Sequence, residues 1–156
     1  MRVTVLAIGH KMPSWVQEGY QEYAKRMPPE IRLDLVELKP EDRTSGKTTE
    51  KAKALEGERL LGALPKGDTL IALDEKGRAV TTQGLSVMLA EWMRDGTNPA
   101  FAIGGADGHG TEVRERASKL ISLSPLTLPH AMVRVVLAEQ LYRAWSILAR
   151  HPYHRE

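Results

Sequence analysis

Residues Leu123–Leu148 read LSPLTLPHAMVRVVLAEQLYRAWSIL, and the stretch changes character at Pro129–His130. Before that point, two prolines among leucines make a stiff connector whose polar atoms are mainly backbone N–H and C=O groups. After it, the pattern predicts a long helix over about Ala131–Arg150. Met132, Val133, Val135, Val136, Leu137, Leu141, Tyr142, Trp145, Ile147 and Leu148 cover far more of that helix than one apolar stripe. One face of a sheet cannot bury them all. A second subunit is the natural partner for the surplus, so a homodimer with an interface on this helix is expected. The alternative is a helix sunk centrally in one large core.

Outward from this helix the chain alternates between two periodicities. Val3–Ile8 (VTVLAI) is a β-branched-rich run closed by Gly9, as in a strand buried on both faces. Pro13 and Ser14 open a helix carrying Trp15, Val16, Tyr20, Tyr23 and Ala24, which Pro28–Pro29 stops. Ile31–Leu38 alternates like a half-exposed strand. A polar stretch, Lys39–Thr49, leads to a Lys/Glu-rich helix ending near Leu64–Pro65, and a turn at Lys66–Gly67 precedes a strand at Thr69–Leu73 with Asp74 at its end. A helix over Thr82–Arg94 closes at Asp95–Gly96, and strands at Pro99–Ile103 and Lys119–Leu123 follow. Strands alternating with helices predict an α/β fold, a mostly parallel sheet of about five strands flanked by helices. No linker or repeat divides residues 1–156, so a single domain is expected.

With 42% hydrophobic and 27% charged residues, the chain falls among globular proteins rather than disordered ones. No apolar run approaches the roughly 20 residues of a membrane span, and the opening strand lacks the small-residue cleavage site of a leader, so a cytoplasmic location is the simplest reading. The absence of cysteine excludes thiolate catalysis, cysteine-ligated zinc and disulfides. The net charge of +2 is too small to imply nucleic-acid binding. From Glu112 onward, however, seven Lys/Arg face four Asp/Glu, a mild basic bias compatible with RNA.

Two loops resemble phosphate cradles. SGKT at Ser45–Thr48 lies between a strand and a helix, but a nucleotide-triphosphate loop needs glycine five residues before Gly46, where Glu41 stands. A carboxylate there would repel the phosphates, so a solvated loop is preferred. IGGADGHG, Ile103–Gly110, lacks the spacing of a dinucleotide fold. Its four glycines within seven residues still imply a sharp bend or a close approach at the carboxyl end of a strand, where α/β folds bind ligands.

Polar groups on the last helix supply further candidates. His130 and Arg134, one turn apart near the positive end of the helix dipole, suit an electron-rich substrate. Glu139 and Arg143 have the spacing of a surface ion pair, although a carboxylate at a subunit interface could also serve function. The chain ends in HPYHRE: His151 and His154 could pair on a metal, but Pro152 breaks the helix that would align them and no third ligand stands near, so no metal site is expected.

Taken together, KMPSWVQEGYQEYAKR, IGGADGHG and LSPLTLPHAMVRVVLAEQLYRAWSIL with HPYHRE closely resemble the RlmH family of SPOUT-class methyltransferases. The likeness covers essentially the whole chain, is highly specific in the C-terminal third, and is loose between Lys39 and Lys66. His109 within the glycine loop looks like a local variant and is assigned no role. The resemblance implies an α/β fold with a C-terminal trefoil knot in roughly residues 70–150, followed by the tail 151–156. It also implies a homodimer that uses S-adenosyl-L-methionine to methylate N3 of a pseudouridine in helix 69 of 23S ribosomal RNA. By the same resemblance the cofactor would touch Leu73, Gly104 and the loop Leu123, Ser124, Pro125, Leu126, Thr127, Leu128. An already activated sulfonium leaving group would require no metal. His130 or Glu139 would accept the proton of N3, with Arg155 and Arg134 stabilising charge on the flanking carbonyl oxygens. Tyr153, His154 and Arg155 would contact RNA through stacking and hydrogen bonds, on a tail that is mobile until RNA orders it.

Overall fold

The opening apolar run forms β1, Arg2–Ile8, buried along nearly its whole length. The computed structural model describes residues 1–43 and 46–155; the serine of SGKT and the terminal carboxylate of HPYHRE lie outside the described residues. Next come α1 (Ser14–Ala24), β2 (Arg32–Leu38), α2 (Thr49–Ala63) and β3 (Thr69–Ala79). The chain continues through α3 (Thr82–Asp95), β4 (Pro99–Ile103), α4 (Thr111–Arg116), β5 (Lys119–Ser122) and α5 (His130–Leu148), then a 3₁₀ turn, Pro152–His154. Among the described residues one five-stranded sheet forms in the order β2-β1-β4-β3-β5, and every pairing is parallel.

Residue alternation along the strands splits the core into two layers. Val3, Val5, Ile71, Leu73, Phe101 and Ile103 point to one face, where Leu85, Leu89 and Trp92 of α3 and Leu137, Leu141 and Ala144 of α5 cover them. Leu6, Ile8, Leu70, Ala72, Ala100 and Ala102 point to the other, against Leu60 of α2 and Val113 of α4. The helices have local reasons to start and stop. Thr48 and Thr81 accept hydrogen bonds from Lys51 N and Gly84 N as N-caps, and Gly96 ends α3 in the left-handed conformation (φ 70°).

The apolar excess of α5 is largely absorbed within the chain. The helix packs on the sheet through Leu137 and Leu141, and on α1 so closely that a Cβ on Gly19 would lie 3.2 Å from Val135 Cγ1. Aromatic groups from beyond its end cover its outer side: Tyr153 lies 4.7 Å, ring centre to ring centre, from Tyr142, and His151 lies 5.6 Å from Trp145. The tail expected to be mobile is packed on its own helix in this structure. His151 N donates to Ser146 O and Tyr153 Oη donates to Glu139, folding the tail back on its own helix. Met132 and Leu148 remain exposed, as does Trp15 on α1.

β3 also departs from the expectation, which ended it at Leu73. The strand continues to Ala79 after a register break, in which Ile121 of β5 faces both Leu73 and Arg78. Residues 74–77 are thus looped out of the ladder. The detour returns at Gly77, where a Cβ would stand 2.7 Å from the backbone of Leu120 and Ile121. Replacement of Gly77 by alanine should force β3 from β5 and destabilise the fold by about 1–3 kcal/mol, the usual range for overpacking. Urea unfolding of the two proteins measures it, and an unchanged midpoint would contradict the close approach.

Candidate active site

At the carboxyl ends of β3, β4 and β5 the looped-out segment, the glycine loop and the connector to α5 enclose a cavity of about 770 Å³. This is the end of a parallel sheet at which ligands bind. Of the residues expected to hold a cofactor, Leu73, Gly104, Leu123, Ser124, Leu126, Thr127 and Leu128 line it, together with His130; Pro125 is exposed in the same loop.

Each wall has a local cause. The glycine loop doubles back: Gly108 N donates to Gly105 O at 3.1 Å, Gly108 takes φ 79°, and a Cβ on Gly104 would meet the Gly108 carbonyl carbon at 2.9 Å. Only glycine at 104 permits that approach. His109, buried, fixes the loop to the sheet through Nε2 and Ala102 O at 3.1 Å, which gives it a structural role. From the other side Arg43 Nε donates to Asp107 at 2.9 Å while its Nη1 donates to the buried Glu56 at 2.7 Å. The connector is shaped by serines: Ser122 Oγ donates to Ser124 O and Leu126 N donates to Ser124 Oγ. Leu126 stands 71% exposed at the rim, a large apolar side chain without core partners. Asp74 accepts from Lys76 N and from Arg114 at 3.0 Å, holding the looped-out wall against α4. Arg43, Glu56 and Arg114 escape a sequence reading because their spacing is neither periodic nor motif-like. Only the fold brings Arg43 and Glu56 to the glycine loop.

His130 is the first residue of α5 and lies between this cavity and a smaller one of about 170 Å³. Its Nδ1 is buried without a hydrogen-bond partner among the described residues. Burial, reinforced by the Arg134 guanidinium, holds the imidazole below its ordinary pKa, so it is neutral and able to accept a proton. Arg134, expected on the substrate, is instead almost fully buried: Nη2 donates to Gly9 O at 2.8 Å and Nη1 to Glu37 at 2.5 Å. It therefore positions the helix rather than touching a ligand.

Glu139 lies elsewhere. It accepts from Arg143 Nε at 2.8 Å, Tyr153 Oη at 2.9 Å and Gln140 Nε2 at 2.7 Å, so the ion-pair reading holds. Arg143 sits over the Tyr153 ring at 4.8 Å, and His154 Nδ1 lies 3.2 Å from Ser146 Oγ. Arg155 is exposed in the left-handed region (φ 59°). Nine residues of helix, about 13 Å, separate Glu139 from His130. One chain thus forms two clusters, the cavity with His130 and the tail with Glu139, without joining them. Among the described residues no group of three His, Asp or Glu gathers as a metal site, and no helix is long and apolar enough to cross a membrane.

His109 is likewise held below its ordinary pKa, chiefly by burial. Both histidines take protons more readily unfolded, so stability should be full above about pH 6.5 and decline as pH falls below it. Urea midpoints between about pH 8 and pH 5 measure the slope, which His109→Gln should flatten; an identical slope in that variant would contradict the assignment.

Residues 1–154 match the family described as Predicted SPOUT methyltransferase. Proteins named ribosomal RNA large subunit methyltransferase H from Burkholderia multivorans and Ralstonia pickettii are 55% and 56% identical over 155 residues, covering 99% of this chain and 99% of each relative. Among solved structures, one concerned with 2-OH methylation of C/U34 on tRNA superposes with TM-score 0.51 and 19% identity, covering 95% of this chain and 97% of the other. A methylase family protein from Haemophilus influenzae Rd KW20 gives TM-score 0.55 at 12% identity, covering 95% of this chain and 66% of that one. These structures share the fold. A match along nearly the whole chain, with a ligand-sized cavity at the carboxyl end of an all-parallel sheet, establishes that the chain belongs to the SPOUT methyltransferase family.

Proposed function

We propose that this protein is a cytoplasmic, S-adenosylmethionine-dependent methyltransferase of large-subunit ribosomal RNA, acting as a homodimer on N3 of a pseudouridine in helix 69. The observation that carries the reading is the convergence of the leucine connector, the glycine loop and a neutral His130 on one cavity. The names of relatives at 55–56% identity supply the substrate class.

The cavity fits the cofactor. Its volume lies within the roughly 300–1,000 Å³ of small-molecule sites, and leucines with backbone polar groups suit a purine ring. Glu75, exposed in the looped-out wall, adds a carboxylate suited to a cationic ligand. Leu73, Gly104 and the Leu123–Leu128 loop would hold it, and when bound it supplies an electrophilic sulfonium methyl. Passage of that loop into α5 is read as the trefoil knot, within roughly residues 70–150 of one domain.

The remaining chemistry belongs to this chain. An imide N3 with pKa roughly 9 to 10 costs about 3 to 4 kcal/mol to ionise at pH 7. His130, which lines the cavity as a neutral imidazole, takes that proton as methyl transfer proceeds, so the anion never forms free. Glu139, with its oxygens engaged by Arg143, Tyr153 and Gln140, orients the tail instead of acting as base. Tyr153 and His154 face RNA, and Arg155 stabilises charge on the uracil oxygens. The 13 Å gap within one chain is closed across the dimer, where exposed Met132 and Trp15 provide apolar contact and one subunit's tail covers the other's cavity.

Mass spectrometry of helix 69 after incubation with labelled S-adenosylmethionine should find a methyl group on the pseudouridine base; an unlabelled RNA would refute the reading. Arg155→Ala should slow single-turnover methylation by about 100-fold or more, the loss typical of an oxyanion-type donor, with cofactor affinity retained. An unchanged rate would remove Arg155 from the site. Light scattering should give the mass of two chains; one chain at micromolar concentration would defeat the shared site.

A further inference from the structure

The turn from β1 into α1, GHKMPSW at Gly9–Trp15, has no part in cofactor binding or proton transfer as described above. It is nevertheless built for a purpose that local structure does not explain. Lys11 adopts φ 55°, the left-handed region, which is strained for a side-chain-bearing residue and persists where the surroundings require it. Gly9 takes φ 132°, and a Cβ there would meet Met12 Cε at 3.1 Å, Arg134 Nη2 at 3.2 Å and His130 Cε1 at 3.5 Å. The turn is therefore packed directly against the proton acceptor. His10 and Lys11 project exposed from its outer side.

Between this turn and the glycine loop lies the smaller cavity, about 170 Å³, lined by Gly9, His10, Met12, Glu41, Arg43 and His130 among others. It shares Gly105, Ala106 and His130 with the larger one, so the two meet at the acceptor imidazole. Its size is below the range of cofactor-sized sites and suits one planar ring. Its carboxylates are already neutralised from within. Glu56 is held by Arg43 at 2.7 Å, and Glu41 by Lys47 at 2.6 Å and Arg59 at 2.5 Å, so no uncompensated negative charge repels a polyanion. Lys11, exposed between the lining residues His10 and Met12, supplies a cation beside it.

We infer that this smaller cavity receives the target base of the RNA, flipped out of its strand, and that Lys11 holds an adjoining backbone phosphate. The inference rests on the methyltransferase reading above and adds where the base enters and which turn grips the strand. A base seated there adjoins the cofactor cavity at Gly105, Ala106 and His130, where the two spaces meet, so its N3 reaches both the imidazole and the cofactor cavity. Lys11, in the left-handed region, is exposed next to the two lining residues His10 and Met12. Flipping also has a cost in unstacking, which a backbone grip beside the cavity offsets.

The test uses full-length protein and ribosomal RNA. Lys11→Gln should raise the KM for RNA several-fold and lower the salt slope of RNA binding by about one, as loss of one phosphate contact does, while S-adenosylmethionine affinity stays at the wild-type value. His10→Trp, which narrows the mouth from an exposed position, should reduce kcat/KM for RNA by about ten-fold or more with the same cofactor affinity retained, which also shows the variant folded. RNA carrying 4-thiouridine at the target position should cross-link to residues 9–12. If wild type methylates and both variants match it, or if cross-links fall only on residues 151–155, the inference is overturned while the methyltransferase reading stands. If wild-type protein transfers no methyl to the RNA, that reading fails and the inference with it.

Discussion

The buried guanidinium of Arg134 is the constraint from which the site follows. It ties the final helix to the ends of the first two strands through Gly9 O and Glu37, joining parts of the chain 125 and 97 residues apart. A charge this deeply buried is tolerable only with partners in good geometry, and removing one would leave an ion uncompensated at a cost of several kcal/mol. The helix consequently has one seating. That seating puts His130, a turn earlier, against Gly9, and places the leucine connector over the carboxyl ends of β3 and β4. The same cation, together with burial, keeps the imidazole neutral. One interaction thus sets where His130 stands and adds to the effect of burial on its protonation state.

Part of the cavity wall is shaped by close backbone approaches. At Gly104 and Gly108 the chain approaches itself more closely than a Cβ allows, and at Gly77 the looped-out part of β3 rejoins β5 under the same restriction. Such walls, with the leucines of the connector, suit a flat ligand. The ion pairs around it, Arg43 with Glu56 and Asp107, and Arg114 with Asp74, lock the walls to α2 and α4. They do not face the ligand as isolated charges.

Much of this was legible in the sequence, for physical reasons that differ by element. The strands at Val3–Ile8 and Pro99–Ile103 are largely apolar runs because helices cover both their faces, and the connector before α5 announces itself by prolines and leucines between a strand and a helix. Other features were not legible. The extension of β3 past Asp74 depends on pairing with a strand more than 40 residues later, which no local pattern encodes. Arg134 reads as a substrate-facing cation by its spacing from His130, yet the fold turns it inward to Glu37, a partner on an edge strand. The tail looked free because six terminal residues carry no periodicity. Its attachment comes from ring contacts with Tyr142 and Trp145, residues whose apparent surplus on α5 was assigned to a second subunit.

The claim on which the rest stands is that the space between the glycine loop and the leucine connector holds the methyl donor. Titration calorimetry of the purified protein with S-adenosylmethionine, without RNA, tests it most directly, with Leu126→Glu as the comparison because that side chain is 71% exposed and its loss leaves the core intact. Saturable binding by the wild type, and affinity weakened by about ten-fold or more in the variant, is the expected result, since a carboxylate would replace apolar contact with the ligand. No binding by the wild type, or equal affinity in the two proteins, would contradict the account.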